Sequence, residues 1–362
     1  MIVPVFNEPE AIFRLVLASV RDEAPFELIA VVDGGDSEVA SVAREYCDRV
    51  LRMPKAGKRA AIAAGLAVSE PSTDVVVVLD SDTIWMPGAL AEMLRPFADP
   101  RVGGVTPRQA IFDVGDDPVR RLADWIEDLR YLLTVPAQSV FGQVGCLAGR
   151  TIAYRRVAFE PAVAALLGQT VFGMQQHVGD DRVLTNELLR AGWRTVYQST
   201  AVVETDAPAN WRTFWRQQLR WGRSSQRETL LSLGWLWRRP VAFATFAADI
   251  ITPFALYAIV ALAIAQGLSG GIGRTGLPVA ADLTLAYVGM VAGIGVRQIP
   301  HFRRRPRDLL RLPLFVLQLT FVMVPIRLLA FATMLHQSWS TRAEDSAPEF
   351  LPETALPESA AG

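Results

Sequence analysis

Residues 73–82 read TDVVVVLDSD. Four valines and a leucine in unbroken succession suit a strand covered on both faces, as in a parallel sheet. The run ends on two aspartates spaced i, i+2. Two similar runs come before it: IVPVF at 2–6, and ELIAVVD at 27–33, which is closed by Gly34 and Gly35. Helical patterns fill the gaps, EAIFRLVLASVRDE at 10–23, SEVASVAREY at 37–46 and KRAAIAAGLAVSE at 58–70. Strands alternating with helices predict right-handed βαβ crossovers and an α/β fold. Each acidic or glycine-rich segment falls just after a strand, where open α/β sheets place their ligands.

The rest of the chain differs in character. Of 362 residues, 51% are hydrophobic, and the mean hydropathy is +0.24. Long apolar runs at 241–268, 279–300 and 312–335 each exceed the ~20 residues a helix needs to span a bilayer. Asp249 and Pro253 interrupt the first, and Pro325 and Arg327 the third. Buried helices of a soluble protein are the simpler alternative, but three long runs with a basic loop between the last two argue against it. That loop, HFRRRPRDLLR at 301–311, is expected on the cytoplasmic side. Counting back two spans puts the α/β unit in the cytoplasm of a multi-pass plasma-membrane protein. The tail from Thr341, rich in Pro, Glu and Ala, is expected to be disordered. The start, MIVPVFNEPE, has no basic or apolar leader. It reads as the end of a buried strand, so either the first strand is short or an upstream segment is missing.

A net charge of -1 offers no basic field for nucleic acid. Cys47 and Cys146, the two cysteines, suit a reducing compartment rather than a disulfide scaffold. The three histidines, His177, His301 and His336, form no zinc pattern.

Five segments carry candidate chemistry. The DSD at 80–82 offers two hard oxygen ligands, Asp80 and Asp82, suited to Mg²⁺ or Mn²⁺ on a diphosphate; an Asp/Ser turn is the plainer reading. In VVDGG, Asp33 stands where a base or ribose would hydrogen-bond, unless the stretch is simply a Gly-rich turn. KAGKRAAIAAGL at 55–66 places Lys55, Lys58 and Arg59 at a helix start, a good phosphate site or a solvated basic loop. In HVGDDRVLTN at 177–186, Asp180 or Asp181 is expected to cap a helix that stops at Gly192. One cap needs one aspartate, and the second is left for other work. WRTFWRQQLRWGRSS at 211–225 reads as an amphipathic interfacial helix, with Trp211, Phe214, Trp215 and Leu219 on one face and Arg212, Arg216 and Arg220 nearby. Its indoles also suit stacking on a sugar ring.

In this order, VPVFNE, VVDGG, GKR, DSD, GDDR and QQLRW resemble the motif series of the processive family-2 glycosyltransferases. The pair GDDRVLTN and QQLRWGRS looks most like hyaluronan synthases, with chitin-oligosaccharide synthases next. The resemblance covers about residues 2–235. It implies a GT-A (Rossmann-like) nucleotide-sugar domain at 1–208, amphipathic interfacial helices with QxxRW at 209–240, three transmembrane helices within 241–336, and a disordered tail at 337–362. It also implies roles. Asp181 is the general base, and Arg182 is expected to orient the paired carboxylates. Asp80 and Asp82 hold a divalent metal on UDP, and Asp33, Lys58 and Arg220 bind the nucleotide. Gln217 and Trp221 face the acceptor with Asp180, and Arg223 lies in a gating segment. Two departures stand out. Hyaluronan synthases carry membrane helices before the catalytic domain, absent here, and GCLAGRT at 145–151 has Arg150 where that family has proline.

The expected reaction is inverting transfer of sugar from a UDP-sugar to a growing polysaccharide, forming β-linkages. Transfer to a membrane lipid is the alternative, as in ceramide glucosyltransferases, and a catalytically dead membrane scaffold is a third. UDP-glucuronate with UDP-N-acetylglucosamine, UDP-N-acetylglucosamine alone, and UDP-glucose all fit as donors.

Overall fold

The computed structural model describes residues 1–268 and 278–336; the expected disordered tail lies outside them. Its centre is an eight-stranded mixed sheet. The strands are β1 (Ile2–Val5), β2 (Ile29–Asp33), β3 (Arg49–Met53), β4 (Val75–Leu79), β5 (Thr83–Trp85), β6 (Val102–Ile111), β7 (Thr151–Arg155) and β10 (Arg194–Thr205), and their order across the sheet is β3-β2-β1-β4-β7-β6-β10-β5. A separate hairpin pairs β8 (Thr170–Val171) with β9 (Met174–Gln175).

The first half is as the alternating pattern predicts. β3, β2, β1 and β4 run parallel, with Ile2 beside Ile29 on one side and Val78 on the other. They are joined through α1 (Glu10–Asp22), α2 (Ser37–Tyr46) and α3 (Lys58–Val68). β3 was not anticipated, because an edge strand reading RVLRM carries charge between its apolar residues. The second half is not all parallel: β7 runs antiparallel to both β4 and β6, and β5 antiparallel to β10. β6 holds two glycines because its neighbours leave no room. A Cβ at Gly103 would sit 2.6 Å from Trp193, and one at Gly104 2.5 Å from Leu147.

The sheet is packed on both faces, which is why its central strands are continuously apolar. Phe13 and Val16 of α1, with Val39 and Val42 of α2, cover one face. Ile62 of α3, Phe159 of α7 (Arg156–Leu167) and Leu184 of α8 (Asp180–Arg190) cover the other. The short helices α4 (Ala89–Leu94) and α6 (Val135–Val140) complete the domain, with α5 (Pro118–Leu129) before a π-helical turn at Arg130–Thr134.

A third core joins this domain to the apolar helices. α9 (Trp211–Leu236) is one continuous 26-residue helix rather than several interfacial ones, and Asn210 caps it by accepting from the Thr213 N–H at 3.0 Å. Its aromatic face does not lie on lipid as the amphipathic pattern predicts. Phe214 is fully buried, and Trp215 and Leu219 pack beside it against Leu312, Phe315 and Ile326. The ring of Trp125 from α5 stacks on Phe315 at 4.6 Å. Phe315 belongs to α13 (Leu312–Gln318), which continues through a π-helical turn into α14 (Val324–Ala332).

The described residues contain three helical stretches long and apolar enough to cross a membrane: Pro240–Leu262 within α10 (Pro240–Leu268), α11 (Val279–Arg297), and Pro306–Ala332. Asp249 and Arg327, the charges flagged in the first and third runs, approach to 4.0 Å and so partly offset each other's burial in lipid. The basic loop, including α12 (Ile299–Arg304), docks on α5. His301 bonds Asp128 at 2.8 Å and Asp308 at 3.1 Å, Arg305 meets Asp124 at 2.7 Å, and Arg121 meets Asp308 at 2.8 Å. The loop is thereby fixed to the catalytic domain.

Candidate active site

Four strand or helix ends converge on one crevice. β4 delivers Asp80 and, after a turn, Asp82. Ser81 between them donates to the buried carboxylate of Glu8 at 2.6 Å, so the VPVFNE segment pins the DSD turn. At the end of β2, Asp33 accepts from the N–H groups of Ala56 at 2.7 Å and Gly57 at 2.9 Å. This bidentate contact fixes the loop leading into α3, whose first residue is Lys58. Burial pushes the Asp33 carboxyl up despite those two bonds.

Lys58 is the hub. Its Nζ lies 2.6 Å from Asp80 and 3.2 Å from Asp180. Burial opposes its charge, but Asp180, Asp80 and Asp181 outweigh burial and hold its pKa above the ordinary lysine value. The other two cations of the KAGKR segment make their direct contacts outside the acids, although Arg59 still acts on Asp180 and Lys55 on Asp33. Lys55 lies 4.6 Å above the Phe6 ring, and Arg59 donates to the carbonyls of Leu166 and Val178.

The GDD segment corrects the capping expectation. Neither aspartate caps α8: the N-cap is Gly179, at φ +90°, and Asp180 and Asp181 are the first two helical residues. They lie where the helix dipole favours negative charge. Gly192, at φ +99°, ends the helix as expected, with the Trp193 N–H reaching the Leu188 carbonyl at 3.0 Å. Arg182 does not orient the pair through its side chain. Its guanidinium bonds the Gly145 carbonyl and Thr229, and lies over the Phe246 ring.

The two carboxylates differ in environment. For Asp180, burial is outweighed by Lys58 and then Arg59, and its pKa falls below the ordinary value. For Asp181, burial and the neighbouring Asp180 charge push its pKa up against the pull of Lys58. Asp181 Oδ1 accepts from the Arg182 N–H at 2.7 Å and Oδ2 from the Gly149 N–H at 3.2 Å. The Cys146 thiol lies 3.8 Å from Oδ2, its pKa pushed up to about 12 by burial and by Asp181. Two adjacent acids with separated pKa values are the pattern of a site in which one group stays ionised and the other exchanges a proton.

α9 closes the crevice. Burial lowers the Arg220 pKa, while Asp80, Asp180, Asp181 and Asp82 all act to raise it, so its guanidinium is within electrostatic reach of all four acids; its Nε has no hydrogen-bond partner. Trp221 follows, with the Arg150 guanidinium 5.5 Å from its ring. Arg150 also pairs with Glu127 at 3.0 Å, and its backbone carbonyl accepts from the Asp80 N–H at 2.8 Å. Gln217 lies one turn before Trp221 on the same helix. Arg223 points away from the acids, its Nε donating to Thr333 at 2.9 Å at the end of α14. Asp80, Asp180 and Asp181 thus share one crevice with the cations Lys58, Arg59 and Arg220.

A second acidic group, Asp124, Asp128 and His301, brings ligand atoms within 4.8 Å of one another. Arg304 and Arg305 already pair with those carboxylates, so the group serves as the ionic dock of the basic loop.

A family model described as glycosyltransferase like family 2 matches residues 1–224. The chain belongs to this glycosyltransferase family. Among its relatives, a hyaluronan synthase of Streptococcus pyogenes is 28% identical, over 94% of this chain and 82% of that one. An N-acetylglucosaminyltransferase of Rhizobium meliloti (strain 1021) is 32% identical, over 96% and 82%, and one of Rhizobium leguminosarum bv. viciae is 30% identical, over 94% and 81%. In fold the chain resembles a mannosyltransferase of Pyrobaculum calidifontis solved with GDP-Man and Mn²⁺. The TM-score is 0.57, at 18% identity, over 89% of this chain and 86% of that one. The expected GT-A-like domain and the glycosyltransferase activity follow from these matches.

Several residues at this site escaped the motif reading. Glu127 lies in no motif and acts through a contact between distant segments, while Glu8 and Gly149 lie within VPVFNE and GCLAGRT without a role being legible there. Arg150 was visible only as a departure from the GCxxGP pattern.

Proposed function

We propose that this glycosyltransferase is a membrane polysaccharide synthase that transfers sugar from a UDP-sugar, with inversion, to the end of a growing glycan. The observation that carries the reading is the split pair: Asp180 is held ionised against Lys58, and Asp181 beside it is raised and held by two backbone N–H groups. The hyaluronan synthase and N-acetylglucosaminyltransferase relatives and the three apolar helices support the acceptor class and the membrane setting.

In the proposed reaction Asp181 removes a proton from the acceptor hydroxyl. The hydroxyl oxygen bonds to the anomeric carbon as the bond from that carbon to the diphosphate breaks. Lys58 and Arg220 neutralise charge on the departing diphosphate, and Asp33 orients the uridine through its hold on the 55–57 loop. Asp82, with Asp80, would hold Mg²⁺ or Mn²⁺, which supplies Lewis-acid compensation of diphosphate charge when bound. Trp221 and Gln217 contact the acceptor, Asp180 lines that side, and Arg223 belongs to the gating segment after QxxRW. With the catalytic domain in the cytoplasm of a plasma-membrane protein, the donor would come from the cytoplasmic pool.

The test is UDP release from the purified membrane protein across UDP-N-acetylglucosamine, UDP-glucuronate and UDP-glucose, with the product sized. Asp181→Asn should retain UDP binding and lose transfer by about 10²–10⁴-fold. Near-normal transfer by that variant would overturn the assignment of the base. A product of one sugar on lipid would overturn the polymer reading.

A further inference from the structure

The turn after α6 exposes two adjacent apolar side chains, Val140 at 75% and Phe141 at 62%. A soluble domain gains nothing from showing such a pair to water, and single exposed apolar residues are common enough to ignore. What sets this pair apart is where the fold fastens it. Gln143 Oε1 accepts from the N–H groups of Val241 at 3.0 Å and Ala242 at 3.4 Å. Gln138 Nε2 donates to Thr245 Oγ1 at 3.1 Å. Gly145 lies so close to Phe246 that a side chain there would collide with its ring. On both sides of Val140–Phe141, then, the segment is bolted to the first turns of α10, the first apolar span.

The depth follows from helix geometry. The apolar span within α10, Pro240–Leu262, has 23 residues, about 34 Å at 1.5 Å per residue, against a hydrocarbon core of about 30 Å. Its first turns, and the turn that residues 241–245 hold, therefore fall at the edge of that core. Trp237, 61% exposed beside Arg238, flanks the same helix start, the residue types that anchor at headgroup level.

We propose that the Val140–Phe141 turn of the catalytic domain inserts into the boundary between headgroups and acyl chains, forming a membrane contact separate from the spans. The contact has a direct line to the chemistry. Eight residues after Phe141, the Gly149 N–H holds Asp181, so a lipid-seated turn would set the height of the acceptor side of the crevice above the bilayer. The inference rests on the membrane reading above but on no choice of donor or acceptor.

The experiment uses the full chain in phosphatidylcholine nanodiscs. Phe141→Cys and, as a second site, Val140→Cys are labelled with an environment-sensitive fluorophore. Phe172→Cys, at the 84%-exposed tip of the β8–β9 hairpin, serves as the water-exposed control. The unsubstituted protein supplies the blank, its Cys47 and Cys146 both partly buried. The expected result is a blue-shifted emission at 140 and 141, quenched by lipids spin-labelled near the headgroup and shielded from iodide, with the reverse at 172. Labels at 140 and 141 that iodide quenches as fully as at 172, with no quenching by any lipid, would overturn the proposal while leaving UDP release intact. Loss of UDP release from every donor in the unlabelled protein would count against the glycosyl-transfer reading instead.

Discussion

Replacing Gly179 by alanine adds one methyl group, yet it should cost most of the activity. Gly179 stands at φ +90° immediately before the two aspartates. A residue with a side chain pays about 1–2 kcal/mol for such a left-handed conformation. The larger effect is steric. The new Cβ would overlap Ser224 Oγ outright and lie 3.1 Å from Ser224 Cβ on α9. Rotation of the Ser224 hydroxyl relieves part of the overlap, and the Cβ contact leaves the start of α8 to shift by a few tenths of an ångström; since a misplacement of about 1 Å costs about 10²-fold in rate, the expected loss is several-fold. The two contributions can be separated. Ser224 Oγ is buried without a hydrogen-bond partner, so Ser224→Ala alone should be close to neutral. Combined with Gly179→Ala it removes the overlap with Oγ and leaves the strained φ and the 3.1 Å contact between the two Cβ atoms. The double variant should recover most of the lost kcat while keeping a lowered Tm. The assay is UDP release with saturating donor, alongside thermal unfolding in nanodiscs. A double variant no faster than Gly179→Ala, or a single variant with near-normal kcat, would refute the view that contact between α8 and α9 sets the position of the aspartates.

The pH dependence has a definite sign. Asp181 must be deprotonated to act as the base, and Lys58 lowers the pKa of both Asp181 and Asp80; Lys58→Gln should therefore move the acid limb of the kcat/KM profile to higher pH, and a shift to lower pH would contradict the assignment. Asp82→Asn leaves one carboxylate of the DSD turn and should abolish the dependence of UDP binding on divalent cation, read by titration calorimetry with and without chelator. Arg150 lies against the Trp221 ring and pairs with Glu127. Arg150→Ala should raise the acceptor KM about tenfold, the equivalent of about 1.4 kcal/mol, and leave donor KM unchanged. Arg150→Lys should restore part of that loss if the contact with Trp221 is what matters.

Much of the site was legible in sequence because its parts follow strand ends. The runs before Asp33 and Asp80, LIAVV and VVVVL, are continuously apolar because both faces of the sheet are covered, and chemistry placed just after such a run needs no knowledge of the fold to be noticed. The parallel half of the sheet and the three apolar spans were legible for the same reason: period and length are local properties. The antiparallel strand β7 was not, since YRR and its neighbours carry no sign of which strand they will meet.

What the chain alone determined was the inventory: which acids, cations and indoles exist, and which follow a strand or open a helix. Tertiary structure alone decided how they are used. Asp180 and Asp181 are identical neighbours in sequence, and only the approach of Lys58 to one and of the Gly149 N–H to the other separates an ion from a base. Capping by either aspartate was a sound local expectation that failed, because the collision with Ser224 reserves the cap position for glycine. The aromatic face of α9, which by pattern belongs on lipid, meets α13 and α14 instead. Local pattern states what a side chain can bury; the partner that buries it is set by packing across a hundred residues.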